Sequence, residues 1–241
     1  MLTLNIPHGW QIRQQTHDLE IYRCVVEQDE YRIRDIAFGS DDIVVDVGAH
    51  IGWFAAAAEE CGARRGICYE PWKENYELLQ KNLGALGGRW KSHNVAVWRS
   101  DVEESFICYR PSEDSNNTGG GDVLGKYGAA VPWVSLDSIL MECGSVKLLK
   151  LDCEYSEFPI LLTSKELHRV ENIAGEYHEI GKGTYHGLHI PPWAAVDGAE
   201  SYTRHTLREH LESVGFTVEI EHEAENIGKF FARRNSIVED E

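Results

Sequence analysis

The sequence predicts an α/β protein, a mostly parallel sheet with helices on both faces, and three observations carry that prediction. Short apolar runs alternate with segments of helical spacing, the rhythm of βα units whose strands pair in parallel. The run at 43–47 ends in a glycine-rich turn that opens a helix, and the run at 66–69 ends at Glu70-Pro71 before a second helical segment. Near the C-terminus, runs at 217–221 and 229–233 flank Asn226-Ile227-Gly228 and read as an antiparallel pair that closes the sheet.

Taken in order, the first ~35 residues read as an α-rich or mixed cap, and the chain divides into a cap segment, 1–40, and a single domain, 41–241. The first strand, 43–47, is apolar apart from Asp46, and 53–61 is alanine-rich and helical. The second strand, 66–69, leads to a helix at 72–86 that sets Tyr76, Leu79, Leu83 and Leu86 at helical spacing before Gly87-Gly88. A third strand is read at 93–98, with 105–109 as its extension or hairpin partner. The polar stretch 111–125 holds Gly119-Gly120-Gly121 and reads as a mobile loop or insertion. The run 131–134 leads into Ser135-Leu136-Asp137, a cap and first turn for a helix at 138–143. A strand at 146–151, apolar except for Lys147 and Lys150, ends at Asp152 and precedes a helix at 156–167. After a strand at 171–177, the segment 178–203 is rich in Gly, His and Pro and reads as a site loop or lid. A helix at 204–214 closes at Gly215.

Composition narrows the partners. With 40 acidic against 23 basic residues the formal charge is −17, which repels a phosphate backbone within a Debye length of ~8–10 Å; nucleic acid is not an expected partner. No apolar run approaches the ~20 residues that span a bilayer, so no membrane partner is expected. Residues 1–15 carry no basic start, apolar core or small-residue cleavage site, and the expected location is cytoplasmic. The six cysteines are scattered without CxxC pairing and read as buried free thiols.

The strongest local signal is VVDVGAHIG at 44–52. Glycine lets backbone come close to a ligand because it lacks Cβ and tolerates positive φ, and Gly48 and Gly52 serve that purpose around Ala49, His50 and Ile51. Asp46 can accept from an ammonium or order the turn, and Glu70, 22 residues after Gly48, can accept both hydroxyls of a ribose. That spacing indicates adenosine without choosing a cofactor. The turn discriminates further: dinucleotide sites use G-x-G-x-x-G to seat a pyrophosphate, and here His50 replaces the second glycine. A bulky side chain there suits a cofactor that carries a zwitterionic amino acid and no phosphate, S-adenosylmethionine. Pro71 and Asp152, just past the ends of later strands, and Asn94 and Val95, at the start of the third, complete the expected cofactor set. The structural alternative is an ordinary βα turn, with Glu70 an acid favoured by a helix N-terminus.

The segments VVDVGAHIGWF, YEPWKENYELLQKNL, NVAVW, VSLDSIL, VKLLKLDCEYSEFPIL and GEYHE, in this order, resemble the FkbM family of S-adenosylmethionine-dependent methyltransferases from about Asp42 to the C-terminal hairpin. The resemblance implies a class I, Rossmann-like, mostly parallel seven-stranded sheet with an antiparallel last strand. It also implies O-methylation of a hydroxyl on a sugar, glycan or hydroxylated natural product. Two positions depart from the family's usual residues, His50 standing for Asn and Tyr155 for Gly.

Methyl transfer from a sulfonium is an in-line displacement, so the protein must align acceptor and cofactor and exclude water. A sugar or alkyl hydroxyl also needs a base within ~2.6–3.2 Å to take its proton. Asp152 and Glu154 follow the 146–151 strand, while Glu176 and His178 end the 171–177 strand and share one of its faces. Strand carboxyl ends line the ligand crevice in such sheets, so Asp152, Glu176 and His178 are the catalytic candidates. Helix capping by Asp152, a helix N-terminal acid at Glu154 and a solvated strand end at Glu176 and His178 stay open as alternatives. Asp152, Glu176 and His178 could also hold a divalent ion that lowers the hydroxyl pKa, but no spacing motif marks a metal site, and no metal-binding residue is assigned. Glu154, Tyr155, His186 and Trp193 are the expected contacts of a small-molecule or glycan hydroxyl acceptor, His189 lies in the same loop, and Asn117, Thr118 and Gly119 are read as a flap over the cofactor. A cofactor-binding scaffold without chemistry is the alternative from another class, and methylation of a protein or nucleic acid the less favoured target.

Overall fold

A computed structural model of the protein describes residues 9–103, 106–124, 128–180, 184–185, 188–189, 198–224 and 226–236. Seven strands form its central sheet: β1 (Val44–Val47), β2 (Arg65–Tyr69), β3 (Arg89–His93), β4 (Val146–Leu151), β5 (Val170–His178), β6 (Phe216–Ala224) and β7 (Ile227–Arg234). Their spatial order is β6-β7-β5-β4-β1-β2-β3. The strands from β3 to β5 pair in parallel, and β7 runs antiparallel to both β5 and β6. This is the mostly parallel seven-stranded sheet with an antiparallel last strand that the resemblance implied.

The central strands are continuous apolar runs because both of their faces are covered. Val44, Leu148 and Ala174 point to one face, where they pack with Trp53, Phe54 and Ala58; Val45, Val47, Leu149 and Leu151 point to the other, with Ile139, Phe158 and Leu207. The helices supplying those side chains are α2 (Trp53–Glu60), α4 (Leu136–Cys143), α5 (Glu157–Thr163) and α6 (Arg204–Ser213), alongside a short α1 (Asp18–Tyr22) and the longer α3 (Lys73–Leu83). Ser135 caps α4 as its sequence foretold, its Oγ accepting from Ser138 N at 3.2 Å, and Thr203 caps α6 through Thr206 N at 3.2 Å.

Three expectations need correction. The third strand is Arg89–His93, and Ala96–Trp98 instead pairs in parallel with Trp133–Ser135 outside the main sheet. The reason is position: β3 is an edge strand whose residues alternate between exposed and half-buried, so it carries no apolar run, whereas the buried 96–98 segment does. The expected partner at 105–109 forms a separate antiparallel ribbon, Ile107–Tyr109 with Ala129–Val131. The α5 helix stops at Thr163, and Leu167–Arg169 is a separate 3-10 turn.

The N-terminal segment is built into the core. Trp10 stacks on Trp53 at a centroid distance of 4.8 Å, and Tyr22, Tyr31 and Ile33 are buried with it against α2. Among the described residues, no helix is long and apolar enough to cross a membrane.

Candidate active site

A cavity of about 470 Å³ opens at the carboxyl ends of β1, β2 and β4, where a doubly wound sheet leaves a crevice. One wall comes from Gly48, Ala49, Glu70, Pro71, Ala96 and Val97; another comes from Tyr31, Asp152, Glu154, Glu176 and Lys229.

The turn after β1 commits its own donors. Gly48 N and Ala49 N both donate to Tyr69 O, at 3.1 and 3.0 Å, Gly52 N donates to Ala49 O at 2.8 Å, and His50 N donates to Glu70 Oε2 at 2.8 Å. A pyrophosphate would need such N–H groups, so this turn fits a cofactor without one. Gly48 has φ +76, and a Cβ there would stand 1.8 Å from Asp152 O, so only glycine lets the turn and the end of β4 meet. Ile51 is fully buried in the core and Gly52 starts α2 with φ +100; both shape the turn from behind, and neither lines the cavity.

Glu70 is buried, and its carboxylate accepts from His50 N, from Trp72 N at 2.9 Å and from Asn75 Nδ2 at 3.3 Å. Burial pushes its pKa up to about 7, against those hydrogen bonds. Asn94 donates its amide to Glu70 O and Pro71 O, at 2.9 and 3.0 Å, and so secures the end of β2 instead of lining the cavity. Val95 packs partly buried against the core, and the wall expected of these two residues is supplied by Ala96 and Val97.

Asp46 orders the turn. It stands opposite Lys150 across the β1–β4 pair, fully buried, with Oδ1 at 3.2 Å from Lys150 Nζ. Lys150 in turn donates to Gly48 O at 2.7 Å. Sequence reasoning passed over Lys150, although a lysine between Leu149 and Leu151 in an apolar run is a signal, since a buried cation requires a partner.

Asp152 lines the cavity and accepts from Tyr31 Oη at 2.7 Å through Oδ2. Glu154 and Tyr155 both adopt left-handed backbone, φ +49 and +72, which turns the Glu154 carboxylate to His178. That imidazole is buried among three acids: Nε2 lies 3.3 Å from both Glu154 Oε2 and Glu176 Oε2, and Nδ1 lies 3.4 Å from Glu157 Oε1. Burial alone would lower its pKa, but the carboxylates outweigh burial and hold it well above 6.5. His178 therefore keeps its proton and is absent from the cavity wall, which corrects the expectation of a base there. Tyr155 is likewise buried, its ring 4.9 Å from that of His178, and packs behind the site instead of lining it.

The remaining acids divide by environment. Burial raises Glu154 to about 8, even with His178 beside it. Glu176 is also desolvated, but His178 and Lys229 overcome that and hold it at about 2. Lys229 Nζ donates to Glu176 Oε1 at 2.5 Å and lies 3.3 Å from Glu30 Oε2, and burial raises Glu30 to about 7. Glu30, Tyr31 and Lys229 carried no motif, because a cap segment and the last strand meet only in the folded chain.

Asn117 and Gly119, two of the residues read as a flap, line the cavity, and the Thr118 hydroxyl donates to Asp18 Oδ1 at 2.9 Å. His50 turns its ring to the same network, with Nε2 at 3.0 Å from Arg13 Nη2 and 2.9 Å from Thr118 Oγ1. His186 and Trp193 lie outside the described residues. Among the described residues, no group of three or more His, Cys, Asp or Glu is arranged to hold a metal ion.

The family described as methyltransferase FkbM domain matches residues 46–218. The AMB antimetabolite synthetase AmbE of Pseudomonas aeruginosa is 23% identical over 265 residues, covering 92% of this chain but 12% of that protein, so the chain spans a small part of this curated relative. Similar solved structures include a putative S-adenosylmethionine-dependent methyltransferase from Listeria monocytogenes, 10% identical with a TM-score of 0.48, covering 87% of this chain and all of that one (100%). Another is magnesium protoporphyrin IX methyltransferase from Synechocystis PCC 6803 with bound cofactor, 10% identical with a TM-score of 0.47, covering 93% of this chain and 86% of that one.

Proposed function

This chain belongs to the FkbM methyltransferase family and is an S-adenosylmethionine-dependent enzyme; from that premise we propose that it methylates a hydroxyl of a sugar, glycan or hydroxylated natural product. The observation that carries the reading is Glu154. It is a cavity carboxylate with a pKa of about 8, matched to taking a proton from a hydroxyl near neutral pH.

The residues present fit the cofactor. Glu70, buried beside a turn whose N–H groups are already engaged, would hold the ribose hydroxyls, and Pro71, Ala96 and Val97 would wall the adenine. When bound, S-adenosylmethionine supplies an electrophilic methyl group on a sulfonium. The chain's own part is to bind, orient and deprotonate. Asp152, fixed by the Tyr31 hydroxyl, orients the acceptor oxygen. Glu154 accepts its proton. Glu176 is too weak a base at about 2 and serves with Lys229 as a fixed hydrogen-bonding wall. His178 is a positioning residue whose charge keeps Glu154 and Glu176 in place.

The chain's charge of −17 supports a small acceptor over a nucleic acid. Its six free cysteines fit a reducing compartment, and we place the reaction in the cytoplasm.

The test is turnover of S-adenosylmethionine with a panel of hydroxylated acceptors, products read by mass spectrometry. Methyl on oxygen, with kcat lowered by about 10²-fold or more in Glu154→Gln and S-adenosylhomocysteine binding retained, supports the reading. A fully active Glu154→Gln variant, or a panel without any O-methylated product, overturns it.

A further inference from the structure

Carboxylates outnumber cations at the end of the cavity away from Glu70. Glu70 ends β2, whereas Glu176 belongs to β5, three strand spacings across the sheet, or ~14 Å at ~4.8 Å per step. On that far side Glu30, Asp152, Glu154 and Glu176 all line the wall, and Lys150 and Lys229 are the only lysines among the lining residues. Both lysines are committed: Lys150 to Asp46 and Gly48 O, Lys229 to Glu176 and Glu30. Among the described residues, the one other cation in contact, His178, is shared among Glu154, Glu157 and Glu176. Among the described residues, six buried or partly buried carboxylates, counting Asp46 and Glu157, and the half-exposed Glu223 beside Lys229 thus stand around three cations. Protons relieve part of that charge, since burial raises Glu30 to about 7 and Glu154 to about 8; what stays buried and unmatched is costly, and a bound cation removes that cost.

A second observation points to a ligand in the same cavity. Ser156 is 1% exposed and lines the cavity, yet its hydroxyl has no hydrogen-bond partner, although the residue stands at the N-cap position of α5. Buried hydroxyls are rarely left unpaired. A group that donates several hydrogens from a compact positive centre would satisfy the carboxylates and this hydroxyl together.

We propose that the acceptor carries a protonated amine near its hydroxyl, as an amino sugar or amino alcohol does, and that this amine is recognised by Glu30 and Asp152 together with Ser156, which lines the same cavity. The inference rests on the methyltransferase reading above and deepens it by assigning a substrate class. Glu30 is the specificity residue to test, because its removal leaves Lys229 paired with Glu176 at 2.5 Å.

The protein is saturated with S-adenosylhomocysteine, so that the cofactor's own ammonium is already seated, and titrated calorimetrically with matched pairs: amino sugars against their parent sugars, and amino alcohols against diols. The amine members are expected to bind about tenfold or more tightly, the worth of one charge-assisted hydrogen bond. Glu30→Gln is expected to erase that preference without weakening the neutral members, and Ser156→Ala to weaken the amines alone. Equal binding within the pairs, no binding by any amine, or saturable binding of magnesium ion with none by amines overturns the proposal.

Product analysis separates its failure from that of the parent reading. O-methylation confined to neutral acceptors would sink amine recognition and leave the O-methyltransferase standing. Methyl found on the amine nitrogen would do the reverse.

Discussion

Asp18 Oδ1 lies 3.4 Å from His50 Nε2, and this contact ties the N-terminal segment to the turn that follows β1. Asp18 is fully buried; Arg13 grips it through Nε and Nη2 at 3.0 and 2.9 Å, and Thr118 donates to it at 2.9 Å. His50 does not supply the counter-charge, since burial drives its pKa down to about 3. Arg13 supplies it, so the cap segment, the turn after β1 and the 111–124 stretch are clasped through one carboxylate.

Breaking that clasp should loosen all three segments. Asp18→Ala leaves the Arg13 guanidinium without its carboxylate, keeping only the bonds to Asn75 and His50, and is expected to cost about 2–4 kcal/mol, read as a shift in the urea midpoint. S-adenosylhomocysteine should also bind more weakly. A midpoint unchanged within error would show that the clasp contributes nothing to the fold.

Cofactor and acceptor functions should separate by mutation. Glu70→Ala is expected to abolish the rise in melting temperature that S-adenosylhomocysteine gives the native protein, a rise of RT ln(1 + [L]/Kd) in stability. His178→Ala should keep that rise while slowing transfer, because its charge holds Glu154 and Glu176 in place. Undiminished cofactor affinity in Glu70→Ala would remove the ribose assignment.

The rate should depend on one raised carboxyl. The base form of Glu154 is the deprotonated one, so kcat is expected to rise with pH through about 8 and then level off. Glu154→Gln should lower the rate and flatten the profile. A wild-type profile already flat between about pH 6 and about pH 9 would exclude Glu154 as the base.

Stability should follow the opposite course. Glu176 is held near 2, below the ordinary 4.5, so its stabilisation is complete above 4.5 and is lost as pH falls toward 2. Glu154, raised from 4.5 to about 8, keeps a proton that the unfolded chain releases, and stability drops as pH climbs between those values. His178 acts in the same sense: its contribution is full below 6.5 and is lost as pH rises through its raised value. The melting temperature is therefore expected to peak on the acid side of neutrality, at about pH 5, with a shallower alkaline decline in Glu154→Gln. A peak at alkaline pH would contradict these assignments.

Two glycines should respond differently to alanine. At Gly48 the new Cβ would meet Asp152 O at 1.8 Å in a left-handed backbone, whereas at Gly62, with φ +107, it would meet nothing within 4 Å. Gly62→Ala is expected to cost about 1 kcal/mol from backbone strain alone, and Gly48→Ala several-fold more. Comparable urea midpoints for the two variants would disprove the close approach of turn and β4.

Particular residues show where the sequence was legible. Gly48, Glu70, Asp152, Glu154 and Glu176 all reached the cavity wall because each lies within three residues of the carboxyl end of a strand of the parallel sheet, and such ends converge on one side by construction. Asn94 and Tyr155 stand at equally suggestive positions but turn their side chains elsewhere. β3 escaped notice because an edge strand has one open side and needs no apolar run.

By itself the sequence determined the parallel sheet, its order of βα units and the family, because hydrophobic period and turn chemistry act over a few residues. The tertiary structure alone decided the chemistry at the far end of the cavity: that Glu30 and Tyr31 from the N-terminal segment meet Lys229 from β7, and that His178 stands among three acids and keeps its proton. The physical reason is range. A pKa is set by burial and by charges within a few ångströms, and those neighbours come from segments up to about two hundred residues apart, which no local pattern can bring together.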